Sequence, residues 1–298
     1  MIRLLKSVFQ ILLVVIIIFI IAAVPSMFGL KELNGKHLVQ LHPEAIIYNI
    51  QSFFHSIKEG TIGTYYINGV PHPVLEDIQS YTKNSSLLLF LSMLVSLIFS
   101  ITFGVFLHHW KITYFFRWMI NALSIIPDFI IIILSITLAI KFYQMTNIRL
   151  ITLSPLADTV NLTFPLIILC LMPSFYLFKM TNSKYEEIIS AEYIRTAVGK
   201  GLSRPYINSR HVLKNLIPYF TGDIKKAISL TIGNLFIIEY LFNIRDDFNS
   251  KYGIFFIFSD YEFQKVVFSL LILFAIAAIC YLSIKIFFIL IEKVIIHE

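Results

Sequence analysis

The chain has 298 residues, of which 57% are hydrophobic and 14% charged, with a mean hydropathy of +0.79. Soluble domains carry roughly 25% charged residues, so a water-solvated globular enzyme is excluded as the class and lipid is the main solvent. The net charge of +6 is spread in a way that speaks to membrane topology and gives no argument for nucleic acid.

Met1 to Lys6 is short and basic, and Val8 to Val24 is apolar apart from Gln10. A signal peptide has an apolar core of roughly 7–15 residues and a small-residue cleavage site. This run is longer, and residues 8–28 are expected to form a retained helix. Residues 30–84 form a polar insert. In it, Tyr65 to Val70 predicts a small hairpin turning at Asn68-Gly69 and ended by Pro71 and Pro73. Val74 to Tyr81 predicts a short helix feeding the next span. The insert holds four histidines, His37, His42, His55 and His72, whose spacing matches no ligand motif, so it reads as a solvated loop.

Five further spans are expected at about 86–107, 119–140, 161–179, 227–243 and 266–291. The fold class is therefore an all-α polytopic membrane protein with six transmembrane helices and both termini on one side. Its divisions are an N-terminal helix (1–29), the insert (30–84) and a five-helix core (85–298) with a long loop at about 180–226. With the N-terminus in the cytoplasm, the cytoplasmic segments hold 15 of the 24 Lys/Arg and the outer segments nine. Cations in short loops set orientation, and this excess predicts N-in and C-in. The insert is then extracytoplasmic, and the 180–226 loop is cytoplasmic.

Ionisable groups at membrane depth are costly and mark solute paths or local caps. Asp128 follows Pro127 within the expected third span, and Glu239 lies near the outer end of the fifth. Each is a candidate pathway residue, with a kink cap and an interfacial carboxylate as the plainer alternatives. Pro127, Pro165 and Pro173 are expected to bend spans. Ser229 and Gly233 form a small-xxx-small pair suited to close helix approach. The 28 phenylalanines read mostly as lipid-facing mass. Cys170 and Cys280 fall in apolar runs and read as buried small residues.

Catalytic and nucleotide motifs are absent from the sequence. At Lys200, Ile194 and Gly201 stand where a Walker motif needs Gly and Ser/Thr, so there is no phosphate cradle. No metal site or cofactor is indicated, and an enzyme is not expected. The 180–226 loop instead carries helical periodicity over Lys184 to Val198, stopped by Gly199 and Gly201. Ser203 is then a plausible N-cap and Pro205 a first-turn residue of a second helix ending before Pro218. Read physically, this is either a docking surface or an amphipathic loop lying on the membrane.

The stretch Tyr193-Ile-Arg-Thr-Ala-Val-Gly-Lys-Gly-Leu-Ser203, followed by His211-Val-Leu-Lys-Asn-Leu-Ile-Pro218, resembles the EAA loop of ABC-importer permeases of the dipeptide/oligopeptide/nickel family. Leu123-Ser-Ile-Ile-Pro127, Ile232 to Phe242 and Asp260-Tyr261 resemble further family motifs, in order. The sequence departs from the family in carrying Asp128 after Pro127 and in lacking glycines over Asn243 to Asp247. The resemblance implies a permease subunit embedded in membrane lipid that pairs with a second permease, usually a homologous different chain. It further implies two cytoplasmic ATP-binding subunits, an extracytoplasmic substrate-binding protein, and no ATPase activity of its own. Tyr193, Arg195, Thr196, Ala197 and Gly201 would form the ATPase-coupling surface. Peptides are the implied solute, with nickel or a metal–chelator complex as alternative, and a membrane scaffold or sensor as the alternative of another class.

Overall fold

A computed structural model describes residues 2–33, 36–60, 64–67, 70–148, 150, 162–242, 245–246, 251–252 and 261–297. The chain divides into two compact units, residues 1–83 with 251–276, and residues 84–250 with 277–298. Five of the described helices are long and apolar enough to cross a membrane, so the chain is an all-α polytopic membrane protein.

In the first unit, α1 (Ile2–Ala23) ends at a tight 3-10 turn, Val24–Met27, that begins around Pro25. Strands β1 (Phe28–Leu33) and β2 (Lys36–Leu41) pair antiparallel from Phe28↔Leu41 to Leu33↔Lys36. Helix α2 (Glu44–Glu59) follows, capped by Gly60 at φ 71°. Ile46, Ile50 and Phe53 recur at helical spacing and pack α2 on Phe19, Ala22 and Ala23 of α1. The same core takes in Phe263, Val266 and Val267 of α10 (Phe263–His297), and Tyr261 Oη donates to the Ala22 carbonyl at 2.9 Å. The region expected to be a loop thus contains a hairpin and a four-turn helix. The hairpin expected at 65–70 is present as β3 (Thr64–Ile67) and β4 (Val70–Pro73), paired with Ile67↔Val70. Pro71 and Pro73 lie within β4 rather than after it, as an edge strand permits. The turn at Asn68-Gly69 lies outside the described residues, as does Asp260. Two short strands, β5 (Arg245–Asp246) and β6 (Lys251–Tyr252), pair with each other.

The second unit is built on α3 (Val74–Ile101, from Asn84 on), which continues without a break from the helix expected at 74–81. It passes into a π-helical turn at Thr102–Phe106, closed by Leu107 N–H on the Thr102 carbonyl at 2.8 Å. The span expected at 119–140 is two helices, α4 (Lys111–Leu123) and α5 (Asp128–Thr146). The physical reason is Pro127, which has no N–H to continue a helix and drives the residue before it out of the helical region. Helix α6 (Thr163–Ile189) contains Pro173, and Pro165 sits in its first turn, where no N–H is needed.

The long loop is also rearranged. The helix expected over 184–198 is divided: α6 continues to Ile189, and α7 (Glu192–Gly199) begins anew after extended Ala191. Helix α8 (Arg204–Ile207) is extended by a π-helical turn, Asn208–Val212, into α9 (Leu213–Phe242). That helix runs through Pro218 instead of ending before it. The fifth expected span falls in α9. Its apolar part, 227–242, is about 24 Å long at 1.5 Å per residue, short of a hydrocarbon core of roughly 30 Å, and it carries Glu239.

Packing in this unit uses small and aromatic side chains. Ser92, Ser96, Ser100 and Gly104 recur every fourth residue on α3 and its π turn. Three of them face α6: Ser96 Oγ accepts from Ser174 Oγ at 3.0 Å, Ser100 Oγ lies 2.6 Å from Thr181 Oγ1, and Gly104 lies against Thr181. Such spacing lets backbones approach. Ser229 and Gly233 are exposed within this chain, and a Cβ added at Gly233 would meet nothing within 4 Å. Phe99, Phe103, Phe116 and Phe178 form an aromatic cluster with ring centroids 4.9–5.7 Å apart, in contacts of tilted or edge-on geometry. These phenylalanines are core, not lipid-facing mass. Of the cysteines, Cys280 is buried and Cys170 half-buried.

Candidate coupling surface and the polar network beneath it

The exposed surface begins where α6 ends. Ala191 in extended conformation turns the chain, and α7 then presents Tyr193, Arg195 and Thr196 outward. Tyr193 Oη accepts from Asn215 Nδ2 at 3.0 Å, which ties α7 to α9. Thr196 Oγ1 donates back to the Glu192 carbonyl at 3.1 Å. Ala197 is turned inward, 5% exposed, beside fully buried Ile194. It supports the surface from below and is not part of it, because the helical period places positions 194 and 197 on the inner stripe.

Lys200, not Gly199, is the C-cap residue, and Gly199 lies inside α7. Gly201 follows with φ +77°, its N–H on the Val198 carbonyl at 2.9 Å, while Leu202 N–H reaches the Ala197 carbonyl at 3.3 Å. This is the left-handed reversal that glycine allows at no steric cost. Ser203 has the extended backbone of an N-cap, but its side chain makes no capping bond. Val198, Leu202 and Tyr206 are exposed beside these residues, so the loop shows an apolar face ringed by Arg195 and Lys200.

Below it lies a network that sequence reading missed. Asn208, in the second π turn, donates from Nδ2 to the Val105 carbonyl in the first π turn at 3.0 Å and accepts from Tyr185 Oη at 3.1 Å. One buried amide thereby joins the end of α3, the end of α6 and the start of α9. π turns leave carbonyls out of register with the regular ladder, which makes them available to such a side chain. Nothing in the sequence pattern marks a π turn. Asn208→Ala is expected to leave this carbonyl without its amide donor and the tyrosine hydroxyl with only its 3.4 Å contact to His109 Nε2. It should lower stability by about 1–3 kcal/mol, read as a fall in Tm of the detergent-solubilised chain.

His108 stacks on Tyr185 with centroids 4.1 Å apart, and its Nε2 lies 2.9 Å from Arg117 Nη2. Arg117 Nη1 donates to Glu186 Oε1 at 3.0 Å. Burial first, then the charge of Arg117, pushes the His108 pKa down to about 4. Burial likewise lowers His109, with Arg204 and Arg117 adding to it. A histidine held neutral in the fold contributes stability that is present above its ordinary pKa near 6.5 and lost as pH falls through about 4. The Tm of the wild-type chain should therefore drop over that window more steeply than the Tm of His108→Gln.

The two carboxylates proposed for a pathway are placed separately. Asp128 is half-buried in the first turn of α5 and accepts from Asn234 Nδ2 of α9 at 3.2 Å. Glu239 is 6% exposed and accepts a hydrogen bond from Ser85 Oγ of α3. Both therefore brace α9 against a neighbour. Asp128 is at a helix end, where its charge meets the positive end of the helix dipole, rather than in mid-span. Among the described residues no cluster of three or more His, Cys, Asp or Glu is placed to hold a metal ion.

Comparison with known proteins accords with this arrangement. Residues 92–297 match the family described as the inner membrane component of binding-protein-dependent transport systems, a segment that contains α4 to α9 and the whole loop. The chain is 36% identical over 89 residues to proteins of Brucella abortus and Brucella melitensis named as peptide transport system permeases, covering 30% of this chain and 28% of each relative. It is 32% identical over 120 residues to the dipeptide transport system permease protein of Bacillus subtilis, covering 40% of this chain and 37% of the relative. The matched stretches thus span about a third of the length of these relatives. The match over 92–297, on a chain with five membrane-length helices, shows that this protein belongs to the binding-protein-dependent transport system inner-membrane components and is a multi-pass membrane protein.

Proposed function

We propose that the chain is one permease subunit of an ATP-driven importer, and that its solute is a di- or oligopeptide. The observation that carries this reading is the α7–Gly201 surface: short, exposed, partly apolar, and braced through Tyr193–Asn215 and Tyr185–Asn208 to the membrane helices. Such bracing suits transmission of motion, since a rigid-body rocking of spans needs a stiff handle. Because the sequence holds no Walker motif, the energy must come from cytoplasmic ATP-binding subunits docked on that surface. The N-in, C-in orientation follows from the cation excess of the loop. The exposed Ser229 and Gly233 on α9 offer a second permease a close approach. An external binding protein would deliver the peptide, in keeping with the names of the Brucella and Bacillus relatives.

Expressed with its chromosomal neighbours and purified by a tag on this chain, the protein should bring an ATP-binding subunit with it. Cells lacking the chain should lose uptake of labelled peptide. Co-purification without any ATPase, or undiminished uptake, would count against the reading.

A further inference from the structure

The network under α4 is short of acceptors. Arg117 Nε, Asn182 Nδ2 and His108 Nδ1 are buried atoms without a hydrogen-bond partner among the described residues. Arg117 has no lone pair to offer, so its 2.9 Å contact makes His108 Nε2 the acceptor and leaves the proton on Nδ1. Asn182 Oδ1 already accepts from Arg117 Nη2 at 3.4 Å. All three orphans are therefore donors, and unpaired buried donors are costly.

The residues that carry two of them line one space. Arg117 and Asn182, with Asn121, Lys179, Ser183 and Glu186, line a cavity of about 180 Å³ whose floor is Ile120 and Phe178. Glu186 is already engaged by Arg117 at 3.0 Å. Lys179 is in no ion pair among the described residues. The Asn182 side chain is only 7% exposed, so its free amide cannot turn to bulk water. With Arg117 and Glu186 paired, Lys179 leaves this lining one cation in excess, and Asn121 and Ser183 add uncharged donors, so the lining suits an anion.

Its position says where that anion comes from. Within its candidate span Thr163–Ile189, α6 changes at this cavity from apolar Leu177-Phe178 to polar Lys179, Asn182, Ser183 and Glu186, a change that suits the edge of the hydrocarbon. Alongside it, α4 exposes Tyr114, Phe115 and Trp118, with Trp118 67% and Tyr114 73% exposed. At 100° per residue, Arg117 and Asn121 fall between the buried edge of Thr113 and Ile120 and this aromatic face. Trp and Tyr gather at the headgroup level of a bilayer, and basic pockets between spans hold lipid headgroups. We infer that this cavity binds the phosphate of an anionic phospholipid whose acyl chains lie along the aromatic face of α4. The inference rests on α6 crossing the bilayer and not on the transport reading.

The test uses the full chain in mild detergent, exposed in turn to phosphatidylglycerol, phosphatidylcholine and inorganic phosphate, with native mass spectrometry and Tm as readouts. Phosphatidylglycerol is expected to give a one-to-one adduct and raise Tm, and the other two to do neither. Lys179→Gln, an exposed position outside the hydrogen-bonded network, should weaken phosphatidylglycerol binding about fivefold. Lys58→Gln in the polar insert should leave it unchanged. Equal retention of the two lipids, or no effect of Lys179→Gln, overturns the site. Inorganic phosphate matching phosphatidylglycerol overturns the lipid assignment in favour of a free-anion site. Loss of peptide uptake has no bearing on any of these outcomes, so the two readings fail separately.

Discussion

Gly104→Val is expected to prevent recovery of folded protein, and Gly104→Ala to lower its Tm markedly. A Cβ at position 104 would sit 2.6 Å from Thr181 Cγ2 and 3.0 Å from Thr181 Cβ. Neither side can retreat easily. Gly104 is held in the π turn at the end of α3, and Thr181 is fixed on α6 by its hydroxyl, which bonds to the Leu177 carbonyl at 2.7 Å and to Ser100 at 2.6 Å. Overpacking a fitted contact costs about 1–3 kcal/mol, and a valine adds two further methyls to the clash. Thr181→Ser removes the methyl that the new Cβ would meet and keeps the hydroxyl bonds. It should therefore restore part of the stability lost in Gly104→Ala, seen as a Tm above that of the single variant. If Gly104→Ala unfolds at the wild-type temperature, the close approach of α3 and α6 is not as described.

Gly201→Val is expected to act differently, leaving the membrane helices folded and sharply lowering uptake. Here nothing lies within 4 Å of an added Cβ, so crowding is not the cause. The cause is φ +77°, a region that costs an L-residue roughly 1–2 kcal/mol and a β-branched one more. That shifts the population of the α7 reversal about 5–30-fold away from the form shown here, while the spans are untouched. Under the proposed function the quantities to read are solute uptake and the stimulation of an associated ATPase, and both should fall by that order with Tm nearly constant. Gly201→Asn is the control, since Asn tolerates left-handed backbone and should retain most uptake. Normal uptake with valine would sink the proposed role of this turn. Loss with both valine and asparagine would show that exposed surface, rather than backbone, matters at this position.

Much of this protein was legible in composition and short spacing. The apolar runs predicted where the helices cross, and α1, α3, α6 and α10 are close to expectation because a run of 20 apolar residues has few other solutions in lipid. The cations, the helical period and the glycines of the 180–226 loop are legible in the sequence, and the left-handed turn falls on Gly201, one of the two glycines expected to stop the helix. What went astray had local causes. The polarity of the insert suggests a loop, although Ile46, Ile50, Phe53 and Ile57 carry the helical repeat of α2. The third span was drawn through Pro127, although a proline with no partner for the freed carbonyl is a stop.

By itself the sequence determined the solvent, the helical class and the cation excess of one loop, since each of these depends on residue type and order alone. The tertiary structure decided which residues of the loop face outward. Ala197 and Tyr193 look equally available in a linear reading, yet one is buried and the other exposed. It also decided that Asn208, Tyr185 and Val105 meet, across more than 100 positions of chain. No local propensity encodes that meeting, because it depends on two π turns that exist only once α3, α6 and α9 are packed.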